Sequence, residues 1–283
     1  MINNLFLALL ASALSIAGDA LANSKFPLKD AVDQVPLAVD FVVMADTDHT
    51  SKNLVSLFGS LISEIAGRKP VNETLCVFIE SDARLNTEYR QYLRGTPFES
   101  SVLARLKQIY DEIGRPYTDL AAERAYEKVL QLGRDRNIYP VAYDIDFSSD
   151  IGLQLAALFP VIVSGAATAE QTAQFLALED RRHQLMADSI ETLFRSNACR
   201  SGIVLAGEGH LQDTHSPPPF QDQFRAKGFS SFLSRTHSRE CDLPNHVNYA
   251  AAECREIALT WSNIGYGVSV QGSEMFQIEF VGR

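Results

Sequence analysis

The feature that most constrains the fold is a series of short apolar runs separated by segments with helical periodicity. The runs are rich in β-branched residues and lack the apolar–polar alternation of a strand with one face in water, so they are typical of strands buried on both faces. Four runs have this character: residues 37–45, 75–79, 138–143 and 203–206. Strands that alternate with helices need crossover connections. The sequence therefore predicts an α/β fold with a mostly parallel central sheet flanked by helices.

The segments between these runs predict the helices. Apolar residues recur at helical spacing in residues 54–65, 102–113 and 120–132. Thr168, followed three residues later by Gln171, resembles a capping box, so we expect a longer helix from that point to about residue 197. A fifth apolar run, residues 276–281, alternates in the manner of an edge strand.

The chain is expected to form one main domain. No linker rich in Pro, Gly or Ser divides it, so we assign residues 23–235 to the α/β domain and residues 236–283 to a short C-terminal appendage packed on the same domain. Residues 151–167 form an apolar stretch interrupted by Pro160, which we interpret as a buried helix-turn within a helical insertion. The alternative is a hairpin that touches a membrane.

Residues 1–22 are predicted to be a signal peptide. Residues 5–18 are an apolar run, and Ala20, Leu21 and Ala22 then provide the small–x–small pattern of a signal peptidase site. The run is too short to cross a bilayer, which takes roughly 20 apolar residues. We therefore expect a periplasmic or secreted protein with no stable membrane span after cleavage. The first four residues contain no Lys or Arg, and a buried or frayed N-terminal helix is the alternative.

The four cysteines all follow the predicted cleavage site, and an even number is typical of an oxidising compartment. Cys241 and Cys254 are close in sequence, so we expect them to form a disulfide. Cys76 lies in an apolar run, where it is interpreted as a small buried hydrophobe. No cysteine has the spacing of a structural zinc site.

The charge balance argues against a nucleic-acid partner. The formal net charge is −10, and Lys and Arg are not massed in any segment as counterion release would require. A small molecule or a peptide is the expected substrate class.

Polar residues follow each of the four buried runs. Because parallel strands bring their carboxyl ends to one edge of the sheet, we expect these groups to converge there, where ligands bind in such folds. Imidazole and carboxylate together suit zinc, manganese or iron. An Asp after a strand is also a common helix cap, and a lone His is often a loop residue, so each position taken singly has a structural alternative. The groups are Asp46 and His49, Glu80 and Asp82, Asp144 and Asp146, and Glu208 and His210.

Several of these segments resemble a known family. Residues 45–49 fit a small–acid–x–x–His motif, residues 77–84 are similar to V-E-L-D-x-x-R, and residues 180–182 resemble E-R-D or E-R-N. Residues 204–211, V-L-A-G-E-G-H-L, resemble a strand that ends in G-x-G-H-L. Over residues 37–235 the sequence resembles the TraB/Tiki group of a wider set that includes ChaN-like haem-binding lipoproteins and erythromycin esterases.

The sequence also departs from that family at four positions. Ala45 stands where the family has Gly, and Asp46 is shorter than the Glu of the erythromycin esterases. Asp180 replaces the usual Glu, and Arg182 replaces an Asp or Asn, which adds a positive charge beside the expected site.

The resemblance implies an α/β fold in which the two His motifs face each other across one pocket. For the Tiki branch it implies a metal-dependent peptidase, for the esterase branch hydrolysis of a lactone, and for the haem-binding relatives a ligand pocket that uses His49 or His210.

We therefore predict a metal-assisted hydrolase, peptidase- or esterase-like. His49, His210 and Glu80 would hold a divalent ion (Mn, Zn or Co) or a water molecule, and a bound metal would lower the pKa of that water toward ~7. Glu208 or Asp46 would accept the proton. Arg181 would stabilise the developing oxyanion, unless it forms an ordinary ion pair on the helix surface. The alternative is a catalytically inactive domain that binds a ligand, haem or a partner protein in the same pocket.

Overall fold

The computed structural model describes residues 38–46, 52–70, 72–114, 120–135, 137–211, 218–238, 265–271 and 275–281. The chain divides into two compact units, Pro36–Leu233 and Met1–Val35 with Ser234–Arg283. The predicted signal peptide, His49, and the pair Cys241 and Cys254 lie outside the described residues, so all three stay predictions.

Strands and helices alternate through the larger unit. In chain order they are β1 (Phe41–Asp46), α1 (Lys52–Arg68), β2 (Leu75–Asp82), α2 (Asn86–Leu93), α3 (Ala104–Glu112), α4 (Leu120–Asp135), β3 (Ile138–Asp144), α5 (Asp150–Val163), α6 (Ala169–Ser196), β4 (Ser201–Gly207), α7 (Phe220–Ala226) and β5 (Ser231–Ser238). Short 3₁₀ turns, Ala83–Leu85 and Glu208–Leu211, follow β2 and β4, and a π-helical turn, Glu99–Leu103, precedes α3.

The smaller unit contains an antiparallel pair of strands, β6 (Gly265–Gln271) and β7 (Met275–Val281). The run predicted as a strand at residues 276–281 lies within β7.

The central sheet has five strands, all parallel, in the order β3-β2-β4-β1-β5. β1 runs beside β4 with Phe41 opposite Gly202 and Asp46 opposite Gly207, and β2 runs beside both β4 and β3. The predicted α/β class and mostly parallel sheet are confirmed. The register brings the carboxyl ends of β1, β2, β3 and β4 to one edge, which is the edge that carries the predicted site.

The core explains why these runs lack alternation. Every residue of β4 is buried, and so are the first five residues of β2. Near the amino ends of the strands, the Phe41 ring stacks on the Phe224 ring, with centroids 4.6 Å apart. The centroid of the Phe194 ring lies 4.8 Å from that of Phe41. Gly202 allows this packing, because a Cβ atom there would lie 2.7 Å from the Phe41 ring.

Helix α6 begins as the sequence predicts. The Thr168 side chain accepts a hydrogen bond from the Gln171 backbone N–H, and the Gln171 side chain accepts one from the Thr168 N–H. The two reciprocal bonds satisfy N–H groups that the first turn of a helix otherwise leaves without partners.

Helix α5 is less buried than we expected for residues 151–167. It packs against α6, and only Gly152 and Leu155 are buried along its length, whereas Leu153, Phe159 and Val163 are exposed. Among the described elements α6 is its main packing partner, so apolar residues on its other faces are left exposed. Among the helices that the structure describes, none has both the length and the apolar content needed to cross a membrane.

On the outer edge of β3, a side chain forms the two hydrogen bonds that a neighbouring strand would form with Ala142. Asn86, at the start of α2, donates a hydrogen bond from Nδ2 to the Ala142 carbonyl (2.8 Å) and accepts one at Oδ1 from the Ala142 N–H (2.9 Å). An edge strand otherwise exposes unpaired backbone groups, so Asn86 satisfies β3 at the point where it approaches the site. The sequence patterns did not predict α2.

A disulfide joins β2 to the segment before β4. Cys76 bonds to Cys199 across 123 residues of sequence, and both cysteines are buried. The interpretation of Cys76 as a simple buried hydrophobe is therefore corrected: it is a disulfide partner because β2 and β4 are neighbours in the sheet. A disulfide is compatible with an oxidising compartment, and export stays a prediction.

We expect reduction of Cys76–Cys199 to destabilise the protein. Closing a loop of this length removes unfolded-state entropy equivalent to about 5 kcal/mol in the chain-entropy model. Urea unfolding should show that the reduced protein and the double variant Cys76→Ala, Cys199→Ala have a similarly lowered free energy of unfolding. Adding the reductant to the double variant should lower its free energy of unfolding by much less than it lowers that of the wild type. Equal stability of the oxidised protein and the double variant would contradict this.

Candidate functional site

Carboxylates from two neighbouring strands meet at the carboxyl edge of the sheet. Glu80 and Asp82 lie at the end of β2, and Asp144 ends β3. The pairing of β2 with β3 shifts register between Ile79 and Asp82, after which Asp82 lies opposite Asp144. Asp82 and Asp144 are buried, and a polar group is costly to bury without hydrogen-bond donors or acceptors around it.

Arg182, in the middle of α6, connects these carboxylates. Its Nε and Nη2 donate to the two oxygens of Asp144 at 3.0 and 2.6 Å, a bidentate contact. Nη2 also donates to Oε1 of Glu80 at 3.1 Å, and Nη1 donates to Glu179, one turn earlier on the helix, at 3.2 Å. One guanidinium therefore binds three carboxylates, from β2, β3 and α6.

The electrostatic environment keeps Arg182 charged. Burial by itself lowers the pKa of a guanidinium, but the attraction and hydrogen bonds of Asp144, with those of Glu80, outweigh burial and raise the pKa of Arg182 well above its ordinary value. Burial raises the pKa of Tyr143, and the nearby carboxylates of Glu80 and Asp144 raise it further, so its hydroxyl stays protonated and donates to the Leu205 carbonyl at 2.9 Å.

A second Arg–Asp pair, Arg84 and Asp82, joins two loops beside this cluster. The Asp82 oxygens accept from the Arg84 guanidinium at 2.8–3.2 Å, and Oδ2 accepts from the Phe147 N–H at 2.9 Å. Arg84 also contacts Glu112 and Asp146. The hydrogen bond to Asp82 raises the pKa of Arg84. Both Asp82 oxygens are engaged in joining the loop after β2 to the loop after β3, so its role is structural.

His210 lies at the same edge, in the turn after β4. Its Nε2 is 3.3 Å from Oε1 of Glu80, and its Nδ1 is 2.9 Å from Nδ1 of His183 on α6. The other oxygen of Glu80 accepts a hydrogen bond from the Gly207 N–H at 2.6 Å, which fixes the carboxylate at the end of β4. His183 and His210 are both buried, and both rings stack on Phe220.

A small pocket is lined in part by Arg182. Its volume is about 130 Å³, and Arg182 and Glu179 form the polar part of its wall. The rest of the wall is apolar and comes mainly from α5, α6 and the loop after β3. These lining residues are Ile113, Phe147, Gly152, Leu155, Ala156, Phe159 and Phe175.

The structure brings two of the predicted site residues together, places one on the helix surface and leaves the side chains of the others outside the described residues. Glu80 and His210 lie together at the edge of the sheet. Arg181 is exposed on α6, and its neighbour Arg182 contacts the carboxylates instead. Asp46 ends β1 beside Gly207, and Glu208 begins the turn after β4, but the side chains of Asp46 and Glu208 lie outside the described residues, as does His49.

Sequence reasoning noted Arg182 only as a positive charge beside the expected site, and it missed His183. Both lie on the buried face of α6, three or four residues before Met186 and Ala187, which are in the core. That helical spacing was readable in the sequence and identifies the inward-facing residues. Asp144 was noted after its strand, but its pairing with a residue 38 positions later was not predicted.

The described residues do not fit a metal ion at His210 and Glu80. The two ring nitrogens of His210 face Glu80 and His183, and the Arg182 guanidinium already neutralises the carboxylate that would be a ligand. In the part of the chain that the structure describes, no group of three or more His, Cys, Asp or Glu side chains is arranged to hold a metal.

The fold is similar to that of other solved structures. The type III effector HopBA1 matches with a TM-score of 0.54 and 11% sequence identity, over 93% of this chain and 99% of that chain. An erythromycin esterase mutant in its open conformation matches with a TM-score of 0.46 and 12% identity, over 89% of this chain and 78% of that one. ChaN of Campylobacter jejuni, with cofacially bound haem, matches with a TM-score of 0.44 and 12% identity, over 76% and 87%.

No protein-family model and no curated protein matches the sequence. At 11% identity the likeness to HopBA1 shows a shared fold alone, and the lower scores of the other two structures carry no argument. Membership of the TraB/Tiki group and of its wider set stays a prediction.

We expect Arg182→Met to destabilise the protein by about 3–5 kcal/mol, because it leaves the buried Asp144 and the partly buried Glu80 without their counter-ion. Arg181→Met is the matched control and should change the free energy of unfolding by less than about 0.5 kcal/mol, since the side chain is exposed. Equal effects of the two substitutions in urea unfolding would contradict this account.

Proposed function

We propose that this edge of the sheet is a hydrolytic site that uses histidine and carboxylate groups on a small, largely apolar ester or amide. One observation carries the proposal: Arg182 belongs both to the wall of the apolar pocket and to the carboxylate cluster that contacts His210. A substrate in the pocket would thus lie beside the charged groups.

The pocket supports a substrate of limited size. An engineered cavity of about 150 Å³ with apolar walls takes one benzene molecule, so a cavity of about 130 Å³ suits a single ring or a short branched chain. Haem, with four pyrrole rings, does not fit in it. The pocket therefore favours a small acyl or aryl group over the haem-binding alternative.

His210 is proposed as the proton acceptor for an attacking water. Its Nε2 lies 3.3 Å from Glu80, so the imidazolium formed by proton uptake would be stabilised by a carboxylate in contact with it. The water's oxygen would add to the substrate carbonyl, and His210 would return the proton to the leaving alcohol or amine. Arg182 replaces Arg181 in this proposal as the cation near the developing oxyanion, because its guanidinium is the one in the pocket wall.

The remaining predicted residues stay proposals. Asp46 and Glu208 are alternative proton acceptors, since both belong to segments at this edge, and His49 would belong to the same group if the loop after β1 approaches it. The metal-assisted form of the reaction has no support from the described residues.

Hydrolysis can be tested with nitrophenyl esters and nitroanilides of small apolar acids, including acetate, butyrate and benzoate. We expect turnover that survives EDTA, and a loss of about 10²- to 10⁴-fold in kcat for His210→Asn or Glu80→Gln, the usual contribution of a positioned acid–base group. Asp222→Asn, an exposed substitution on α7, is the control. Binding without turnover would favour the inactive ligand-binding alternative. Turnover that EDTA abolishes would favour the metal-assisted form of the reaction instead.

Filling the pocket provides a separate test of substrate access. Ala156 lines the pocket, whereas the next residue, Ala157, is exposed on the same helix. We expect Ala156→Phe to lower kcat/KM for the benzoate ester at least ~10-fold by occupying the space of the ring, and Ala157→Phe to leave it within about twofold. Equal kcat/KM values for the two variants would place the substrate elsewhere.

A further inference from the structure

The wall of the small pocket includes a carboxylate that has an oxygen available to a ligand. Oε2 of Glu179 accepts a hydrogen bond from Nη1 of Arg182 at 3.2 Å, whereas among the described residues Oε1 accepts none. Glu179 lines the pocket and is only partly buried. A carboxylate oxygen only accepts hydrogen bonds, so a molecule that binds Oε1 from the pocket must be a donor.

Helical spacing places this carboxylate near aromatic rings. Phe175 precedes Glu179 by four residues and Arg182 follows it by three, so the three lie on one face of α6. Across from them, the Phe159 ring of α5 has its centroid 6.5 Å from that of Phe175, and Phe147 forms a further part of the wall. The face of an aromatic ring attracts a cation within about 6 Å of its centroid. The wall therefore combines an acceptor carboxylate with three aromatic side chains.

Close backbone packing brings the third of these rings to the pocket. A Cβ atom at Gly152 would lie 2.4 Å from the Phe147 carbonyl oxygen, so the loop after β3 approaches α5 this closely because residue 152 has no side chain. Leu155 and Ala156, on the next turn of α5, continue the apolar wall. The pocket is thus formed by the packing of the fold itself.

The charge around the pocket favours a cation over an anion. Among the described residues that line it, Arg182 is the one cation, and its guanidinium is bound by Asp144, Glu80 and Glu179. Three carboxylates around one guanidinium leave negative charge in excess. An anionic ligand would add to that excess, whereas an ammonium would reduce it, and the attraction is stronger at a partly buried site than in bulk water.

We propose that the pocket binds a primary ammonium compound with a small apolar body. The ammonium donates to Oε1 of Glu179, and the body lies against Phe147, Phe159 and Phe175. For the proposed hydrolysis this names the substrate class, an ester or amide whose small apolar acyl group carries a primary ammonium. That part rests on the proposed function, but the binding does not, and it can be measured without turnover.

Calorimetry of the wild type with benzylammonium, benzyl alcohol and benzoate tests the charge preference with one ring and three head groups. At about pH 7 the amine is protonated, as an alkylamine with an ordinary pKa of ~10.4 is. We expect benzylammonium to bind at least ~10-fold more tightly than benzyl alcohol, and benzoate to bind more weakly than either. Equal affinities for the amine and the alcohol, tighter binding of benzoate, or no binding of benzylammonium would overturn the proposal.

Glu179→Gln keeps the shape of the side chain and removes its charge. The affinity for benzylammonium should fall at least ~10-fold, while that for benzyl alcohol changes less than about threefold. Glu170→Gln is the matched control, because it makes the same change at an exposed position on the same helix. A preference for the amine that survives Glu179→Gln would contradict the assignment. If this variant does not fold, the wild-type comparison of head groups still decides.

The position of the ligand is tested by filling the pocket. Ala156→Phe should abolish the binding of benzylammonium and of benzyl alcohol, whereas Ala157→Phe, exposed on the same helix, should leave both affinities unchanged. Benzylammonium that binds Ala156→Phe as tightly as the wild type lies elsewhere, and the proposal then fails.

The nitroanilides of valine and isovalerate differ in the ammonium group and connect binding to the reaction. We expect kcat/KM to be at least ~10-fold higher for the valine compound, and Glu179→Gln to remove that advantage. Preferential binding of benzylammonium with no turnover of either nitroanilide would support the ammonium site and reject the proposed function. Turnover of both with equal kcat/KM would support the proposed function and reject this substrate class.

Discussion

The burial of one guanidinium organises the carboxyl edge of this sheet. Moving a charged side chain out of water costs several kcal/mol, and good geometry with opposite charges is needed to offset that cost. Arg182 obtains it from Asp144, Glu80 and Glu179, which come from β3, β2 and α6. The contacts can form only when the helix is docked on the two strands in one orientation. The same interaction therefore fixes the position of α6, and with it the position of His183.

Charge within the cluster also explains the placement of His210. Three carboxylates surround one guanidinium, so the cluster retains negative charge, and Glu80 is its member nearest to a second basic group. Glu80 shares Arg182 with Asp144 and also lies beside His210, whereas Asp144 is held by two bonds from Arg182. Asp82, two residues after Glu80 on the same strand, is engaged by Arg84 instead. The two Arg–carboxylate groups thus have different roles. Arg84 with Asp82 joins the loops after β2 and β3, and Arg182 with its carboxylates borders the pocket.

The sequence predicted the sheet and its edge because strands buried on both faces leave a local signature that does not depend on their neighbours. It did not predict which arginine enters the site. Arg181 and Arg182 are about 100° apart around a helix, and only the phase set by Met186, Ile190 and the other buried residues distinguishes them. The Cys76–Cys199 disulfide was not predicted, for a different reason. Cys76 and Cys199 meet because β2 and β4 are paired, and that neighbour relation is a property of the topology rather than of distance along the chain.

A positive charge that is part of the chain has consequences that a bound metal would not have. It cannot be removed by a chelator or exchanged, and its carboxylate partners stabilise the fold at the same time as they shape the site. Substitutions at Glu80 or Asp144 therefore change the free energy of unfolding together with any activity, because each leaves Arg182 with fewer partners. His210 is joined to this cluster through Glu80, and both histidines are buried, so substitutions at either histidine also change the free energy of unfolding. Activity measured on variants of the Arg182 cluster or of the histidine pair therefore reports on the chemistry of the site only when the free energy of unfolding of the same variants is measured beside it.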